Sequence, residues 1–253
     1  MERLSKLRFE NFKALRDCTL ELGRFNLLIG PNGSGKSTVF QFLQLAREFG
    51  VPWQQTLAAP PYAEIVSVEA PPGATIAVEA EFVDEAKPDV APLLVRWEGG
   101  ANSVWRGYPS PMSSGVEQAI RSWRFFAFDP VKIQQANTIG PAPSLGARGE
   151  NLANVLHWLR DEYPDRFAAI QDELRGWLPE FTAVVFKTVS SGAISIQLRM
   201  AGCDKVVPAS QLSQGTLISL ALLTLAHLPE PPGLVCLEEP DRGLHPRLMR
   251  QVR

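Results

Sequence analysis

The sequence predicts an α/β fold, in which helices flank a mixed β-sheet core. The first observation is an apolar run at Leu234–Leu237, bounded by Pro and Gly, which is typical of a buried strand covered on both faces. The second is a glycine-rich loop between an apolar run at residues 25–29 and a helical pattern that begins at Lys36. The third is a helix predicted after Ser213. A chain of 253 residues is long enough to bury one large core.

Two adjacent glutamates, Glu238 and Glu239, stand where the apolar run Leu234–Leu237 ends. In open α/β folds ligands bind outside the carboxyl ends of the strands. The pair is therefore either a cation site or an ordinary solvated strand end. Taken alone, the two residues do not decide between these interpretations.

The glycine-rich loop has the spacing G-x-x-x-x-G-K-S/T, formed by Gly30, Gly35, Lys36 and Ser37. It follows a predicted strand at residues 25–29 and precedes a predicted helix, which is the context that a phosphate-binding P-loop requires. Glycines let backbone N–H groups turn inward, and the helix N-terminus faces the anion. Lys36 would reach the β and γ phosphates, and Ser37 would bind magnesium. The other loop residues expected at the phosphates are Asn32, Gly33, Ser34 and Thr38.

The P-loop gives the two glutamates different predicted roles. A magnesium ion held by Ser37 and phosphate needs a carboxylate from a neighbouring strand, and Glu238 is placed to supply it. Glu239 is predicted to be the catalytic base that accepts a proton from the attacking water. A second predicted anion site lies at the N-terminus of the late helix, where Ser213 is a plausible cap and Gly215 follows it.

Together these motifs resemble the heads of ABC-type ATPases, in the branch that contains RecF, SMC heads and the OLD-like bacterial AAA family ATPases. GPNGSGKST at residues 30–38 is similar to a Walker A motif, and LSQGT at 212–216 to a signature motif. VCLEEP at 235–240 is similar to Walker B with a catalytic glutamate, and DRGLHP at 241–246 to a D-loop. LSKLRFENFKAL at 4–15 and RGENLANVLHWL at 148–159 also resemble segments of this branch.

The resemblance implies ATP and Mg²⁺ as cofactors and a homodimer in which two ATP molecules lie between two heads. Ser213 and Gly215 would then act on the nucleotide of the partner head. The resemblance also implies that Lys13 and Asp241 contact ATP. It implies a glutamine that contacts magnesium, which is assigned to Gln134, with Gln135 as the alternative.

The domain prediction is a single ATPase head over residues 1–253, with an antiparallel β lobe inserted at residues 63–106. Residues 148–180 are predicted to be helical, and residues 210–253 to carry the signature helix, Walker B and the D-loop. Few residues follow Glu239, and none supplies the family's closing strands or its switch histidine. The expectation is therefore a head truncated at its C-terminus, or one completed by another chain.

Composition limits the class of protein and its partners. The net charge of −2 gives no overall attraction to nucleic acid, so DNA binding is left open. A basic cluster near the start is either a local patch or a solvated face. No signal peptide or membrane span is predicted, and three scattered cysteines favour a reducing cytosol. The cluster consists of Lys6, Arg8, Lys13 and Arg16.

The predicted function is ATP binding and hydrolysis, in DNA repair or in defence against foreign DNA, with an effector protein encoded nearby as a possible partner. The alternative is a nucleotide-dependent binding module that closes on ATP without hydrolysing it. A transporter subunit is disfavoured because the D-loop begins DRGLH, and a long coiled coil is disfavoured because heptads are absent between the motifs. A P-loop kinase is disfavoured by LSQGT and LEEPD together.

Overall fold

A computed structural model describes residues 2–49, 62–87, 90–100, 106–108, 113–190 and 192–241. The chain divides into two compact units, residues 1–123 and 124–253. The predicted D-loop after Asp241, including His245, lies outside the described residues, as do parts of the predicted β lobe.

The first unit contains a five-stranded antiparallel sheet in the order β2-β1-β3-β4-β5. The predicted strands of the β lobe are present, but they extend the same sheet as the two N-terminal strands. The elements of this unit are β1 (Glu2–Phe12), β2 (Leu15–Glu21), α1 (Lys36–Phe49), α2 (Tyr62–Ile65), β3 (Ile76–Asp84), β4 (Leu93–Gly99), β5 (Arg106–Tyr108) and α3 (Ser114–Arg121).

Strand β1 buries Leu4, Leu7, Phe9 and Phe12, a spacing that strict strand alternation does not produce. The register with β3 shifts between Leu4 and Lys6, so one residue is inserted and the next apolar side chain returns to the core face. Asn11 has a φ of 56°, and this left-handed residue changes the direction of the strand just before Phe12, whose side chain is buried. The irregular apolar spacing of the sequence therefore still makes one buried face.

An aromatic cluster joins helix α1 to this sheet. The Phe42 ring of α1 makes edge contacts with Phe9, Phe12 and Trp97 at centroid distances of 5.5, 5.9 and 5.3 Å. Such edge-to-face pairs contribute about 0.5–1.5 kcal/mol each beyond the area they bury. The cluster fixes the helix that follows the glycine-rich loop onto strands β1 and β4.

The segment at residues 25–29 differs from its predicted form, because it is not part of any strand. Phe25, Leu27 and Ile29 are 65%, 64% and 84% exposed. An apolar run becomes a buried strand only when neighbouring strands take up its N–H and C=O groups, and no described strand pairs with this segment. The prediction of a buried strand here is wrong for the described structure.

The second unit is built around one large apolar core. Its sheet has β9 at the centre, paired with β8, β7 and β10, and β6 pairs with β11 separately. The segment predicted to be helical at residues 148–180 contains two helices, and the second begins at Pro164. The elements are β6 (Trp123–Phe126), α4 (Pro130–Ile133), β7 (Asn137–Thr138), α5 (Leu152–Glu162), α6 (Pro164–Trp177), β8 (Phe181–Ser190), β9 (Ala193–Met200), β10 (Val206–Pro208), a 3₁₀ turn (Ala209–Gln211), α7 (Gln214–Ala226) and β11 (Leu234–Leu237).

Helix α7 is the central element of this core, since every residue from Gly215 to Leu225 is buried. A helix that is apolar on all sides lies inside a protein, here against α4, α5 and α6. Thr224 satisfies its hydroxyl by donating to the carbonyl of Leu220 at 2.7 Å. No helix of the described residues is long and apolar enough to cross a bilayer.

Candidate functional site

The glycine-rich loop at residues 30–38 has the backbone of a phosphate cradle. Gly33 and Gly35 have φ of 81° and 93°, a left-handed conformation that side chains disfavour. Left-handed residues that alternate with right-handed ones turn successive N–H groups toward one concave side, which suits an anion. A methyl group at Gly30 would lie 2.8 Å from the Ser34 hydroxyl oxygen, so a side chain there would require Ser34 to shift.

Lys36 is held in place by the loop that precedes it. Its Nζ donates to the carbonyl oxygens of Gly30 and Pro31 at 2.7 and 2.8 Å. A lysine ammonium has three donors, so a third remains for a phosphate oxygen. Helix α1 begins at Lys36, as predicted, and its N-terminus adds partial positive charge to the same place.

The hairpin between β1 and β2 supports the loop from behind. A methyl group at Gly35 would lie 2.6 Å from Leu15 Cδ2, which shows how closely the loop packs on β2. Lys13, at the turn of this hairpin, donates from Nζ to Gln41 Oε1 on α1 at 2.9 Å. Lys13 has φ of 48°, and its backbone N–H donates to the carbonyl of Ile65 at 2.9 Å. The structure thus places Lys13 against helix α1. No pattern in the sequence indicates that Gln41 accepts this hydrogen bond.

The other basic residues near the N-terminus do not form a free basic patch. Lys6 lies 3.5 Å from both Glu81 and Glu21, and these carboxylates raise the pKa of its ammonium. Arg8 pairs with Glu10 at 3.1 Å. Arg16 pairs with Glu69 at 2.5 Å. These pairs support a solvated, charge-balanced face rather than the patch that the sequence left open.

In the second unit, Ser213 caps α7 as predicted. Its Oγ accepts from the backbone N–H of Thr216 at 3.1 Å and lies 2.8 Å from Thr216 Oγ1. Gly215 is buried in the first turn of the helix. The sequence motif therefore forms a capped helix N-terminus, which is one of the ready-made anion sites of proteins.

The two glutamates follow β11, and both are exposed. Glu238 continues the strand pairing, since its N–H donates to the carbonyl of Phe126 at 2.9 Å. Glu239 has φ of 46°, which is uncommon for a residue with a side chain. The backbone conformation therefore changes at Glu239, directly after the last strand hydrogen bond. The separate roles of the two carboxylates stay predictions. The next predicted contact, Asp241, is also exposed.

The strand before these glutamates is less buried than predicted. Cys236 is buried, whereas Val235 is 38% exposed. The described residues provide β11 with one paired strand, β6, and this explains the open side. Burial raises the pKa of the Cys236 thiol to about 12, so the thiol stays protonated at neutral pH.

Gln134 ends the short helix α4 and is partly buried, while Gln135 is exposed. Asp129 caps this helix, and its Oδ1 accepts from the N–H of Val131 at 2.9 Å. The structure orders the Gln134 segment but gives no contact that identifies its role. Sequence reasoning did not single out Asp129, although Asp before Pro is a recognisable cap signal.

Comparisons with known proteins agree with this architecture. Residues 123–253, just over half of the chain, match the family described as "AAA domain, putative AbiEii toxin, Type IV TA system". Residues 3–49, which contain the glycine-rich loop, match a second family, described as an AAA ATPase domain. No curated protein sequence matches the chain significantly.

Two solved structures are among those similar to this chain. The Smc head domain from Pyrococcus furiosus, solved with an extended coiled coil and bound to the C-terminal domain of ScpA, has a TM-score of 0.61 and 15% identity. That match covers 100% of this chain and 85% of the other. The recombination mediator protein RecF with ATP has a TM-score of 0.46 and 12% identity, covering 99% and 88%. The Smc comparison shows that the chain has the fold of a P-loop ATPase head.

Proposed function

Because the chain belongs to this AAA domain family, we propose that it is an ATP-binding and ATP-hydrolysing head of the ABC type. The observation that carries the proposal is the cradle at residues 30–38, in which Lys36 is anchored by two carbonyls and keeps a donor for phosphate. The two left-handed glycines of the loop have the conformation that lets backbone N–H groups turn toward a polyphosphate.

Magnesium fits the donors present. Mg²⁺ is bound by one or two protein oxygens and completed by phosphate and water. Ser37, in the first turn of α1, would supply a hydroxyl, and Glu238 at the end of β11 would supply a carboxylate. The bound ion would neutralise charge on the phosphates. Gln134 would be a further oxygen donor to the ion or to its water.

Hydrolysis is assigned to Glu239. Its carboxylate is exposed and leaves the strand through a left-handed residue, and local strain of this kind clusters at functional sites. Glu239 would accept the proton of the attacking water, a role worth about 10²- to 10⁴-fold in rate.

Association of two heads is the second part of the proposal. The capped N-terminus of α7, with Ser213 and Gly215, offers donors and partial positive charge to an anion. These residues would contact the ATP bound by a partner copy, and Asp241 would lie near the same junction. A cytosolic head of this kind would drive an effector in DNA repair or in defence against foreign DNA, a process assigned by analogy with the family.

The test is ATP binding by the wild-type chain and by Lys36→Ala. Removal of the ammonium should weaken ATP affinity by 10-fold or more, on the order of 1.4 kcal/mol, because a charge-assisted bond to phosphate is lost. Isothermal titration calorimetry measures the affinity, and circular dichroism checks that the variant is folded. Lys87→Ala is the control, since Lys87 is an exposed residue of the β3–β4 connection. Wild-type affinity in Lys36→Ala would contradict the proposal.

Steady-state phosphate release then separates the two functions considered. Turnover that depends on Glu239 supports hydrolysis. Tight ATP binding without phosphate release supports a module that closes on ATP and does not consume it.

A further inference from the structure

The carboxyl end of β6 lies between two other chain segments. On one side, the carbonyl of Phe126 accepts from the N–H of Glu238 at 2.9 Å. On the other side, the N–H groups of Ala127 and Asp129 donate to the carbonyls of Ala147 and Arg148 at 2.9 and 3.1 Å. Neighbouring strands are about 4.8 Å apart, so the backbone of Arg148 lies on the order of 10 Å from that of Glu238.

Asp129 joins these segments through its side chain. One carboxylate oxygen, Oδ1, caps α4 by accepting from Val131, and the other, Oδ2, forms an ion pair with the guanidinium of Arg148. A methyl group at Gly149 would lie 2.6 Å from Ile133 Cγ1, so α4 packs closely on the segment that carries Arg148. This segment therefore helps to fix the orientation of α4, which also packs on α7.

The first residues of the motif RGENLANVLHWL at residues 148–159 belong to the same arrangement. Glu150 Oε2 accepts from the N–H of Arg148 at 2.9 Å. Asn151 accepts from Gly146 at 2.7 Å and donates to Ser144 at 3.0 Å. These side chains bind the backbone of their own segment and make it rigid. Arg148 differs, because its guanidinium binds a side chain on the neighbouring segment.

The ion pair contributes little to fold stability. The Arg148 side chain is 58% exposed, and exposed ion pairs contribute about 0–1 kcal/mol. Its structural consequence is local: it links Asp129, which lies between the end of β6 and helix α4, to the segment that carries Arg148.

We propose that Asp129 and Arg148 are positioning residues, which fix α4 and Gln134 relative to the end of β6, where Phe126 pairs with Glu238, and thereby strengthen magnesium-dependent nucleotide binding. This inference rests on the proposed ATPase function. It assigns the pair no direct contact with ATP or magnesium. The pair acts through the segment that it fixes, as outer residues of metal sites do.

The experiment compares Asp129→Asn, Arg148→Gln and the double variant. Asparagine caps a helix about as well as aspartate, so Asp129→Asn removes the ion pair and keeps the cap. The matched control is Asp172→Asn, which breaks the exposed Asp172–Arg175 pair of α6. Calorimetry measures ATP affinity with magnesium and with EDTA, hydrogen exchange follows the amides of Val131 and Gln134, and thermal melting monitors the fold.

Each single variant should lose about 10-fold in ATP affinity with magnesium, and keep its affinity in EDTA. The amides of α4 should exchange faster, the melting temperature should change by less than about 3 °C, and the control should match the wild type. The double variant should be no weaker than either single variant, because both remove the same contact.

Two results would overturn the inference alone: unchanged magnesium-dependent affinity in both single variants, or equal losses with and without magnesium. Additive losses in the double variant would also count against it, because the two residues would then act separately. A wild-type chain that binds no ATP would overturn the proposed function itself. The two failures are therefore distinguishable.

Discussion

At the scale of single residues, the neighbours Glu238 and Glu239 show how backbone geometry separates two identical side chains. Glu238 keeps extended pairing through its N–H to Phe126, whereas Glu239 takes a left-handed φ of 46°. A left-handed residue with a Cβ costs roughly 1–2 kcal/mol. This cost lies in the range of the local backbone strain that clusters at functional sites.

The two glutamates should therefore respond differently to the same substitution. Glu238→Gln should weaken magnesium-dependent ATP binding and turnover together, because a neutral amide is a poorer ligand for a hard cation. Glu239→Gln should bind ATP normally and hydrolyse it about 10²-fold more slowly, since the base is lost. Calorimetry and single-turnover phosphate release give the two measurements.

Glu230→Gln, an exposed change in the turn before β11, is the control and should behave as the wild type. Hydrolysis at the wild-type rate by Glu239→Gln would reduce this residue to an exposed strand-end charge.

At the scale of elements, helix α7 combines a polar N-terminus with a body that is buried on all sides. Ser219 Oγ is buried and has no hydrogen-bond partner within the described residues, so the helix retains one unsatisfied polar atom in the core. At the start of the helix, by contrast, the Ser213 side chain accepts a hydrogen bond from a backbone N–H group that would otherwise be unsatisfied.

Ser213→Ala should lower the free energy of unfolding by about 1 kcal/mol, because the N–H of Thr216 loses its acceptor. Urea denaturation followed by circular dichroism measures the change. Ser210→Ala, an exposed position in the preceding 3₁₀ turn, is expected to change stability by less than about 0.5 kcal/mol. Equal effects of the two substitutions would show that the cap contributes nothing specific.

At the scale of the whole molecule, the site residues are distributed over two units. The P-loop and Lys13 belong to the first unit, and Ser213, Gln134 and the glutamates belong to the second. Each unit has its own apolar core, so each set of site residues is held by a separate packed framework.

Ser213→Arg should prevent ATP-induced association while leaving ATP binding by a single copy intact, because a large cation would occupy the proposed contact with the partner's nucleotide. Sedimentation velocity with and without ATP, in a Glu239→Gln background that slows turnover, measures the association. Thr188→Arg adds the same charge at an exposed position of β8 and should still dimerise. A nucleotide-induced dimer formed equally well by Ser213→Arg would contradict action on the partner's nucleotide.

The sequence by itself determined the features that depend on local chemistry. The spacing of Gly30, Gly35 and Lys36 predicted a glycine-rich turn that leads into helix α1, and Ser213 predicted a capped helix, because turns, caps and helix starts depend on neighbouring residues. The α/β class was also predictable, since apolar periodicity reports which faces are buried.

Only the tertiary structure decided the features that depend on distant partners. Residues 25–29 have the composition of a buried strand, yet Ile29 is 84% exposed, because a strand forms only where another strand accepts its hydrogen bonds. Strand pairing likewise placed β3 in one sheet with the N-terminal strands. It also brought Lys6 between two glutamates, which balance its charge. Asp129 and Arg148 lie on two segments that are separated in the sequence, so only the folded structure shows that their side chains are in contact.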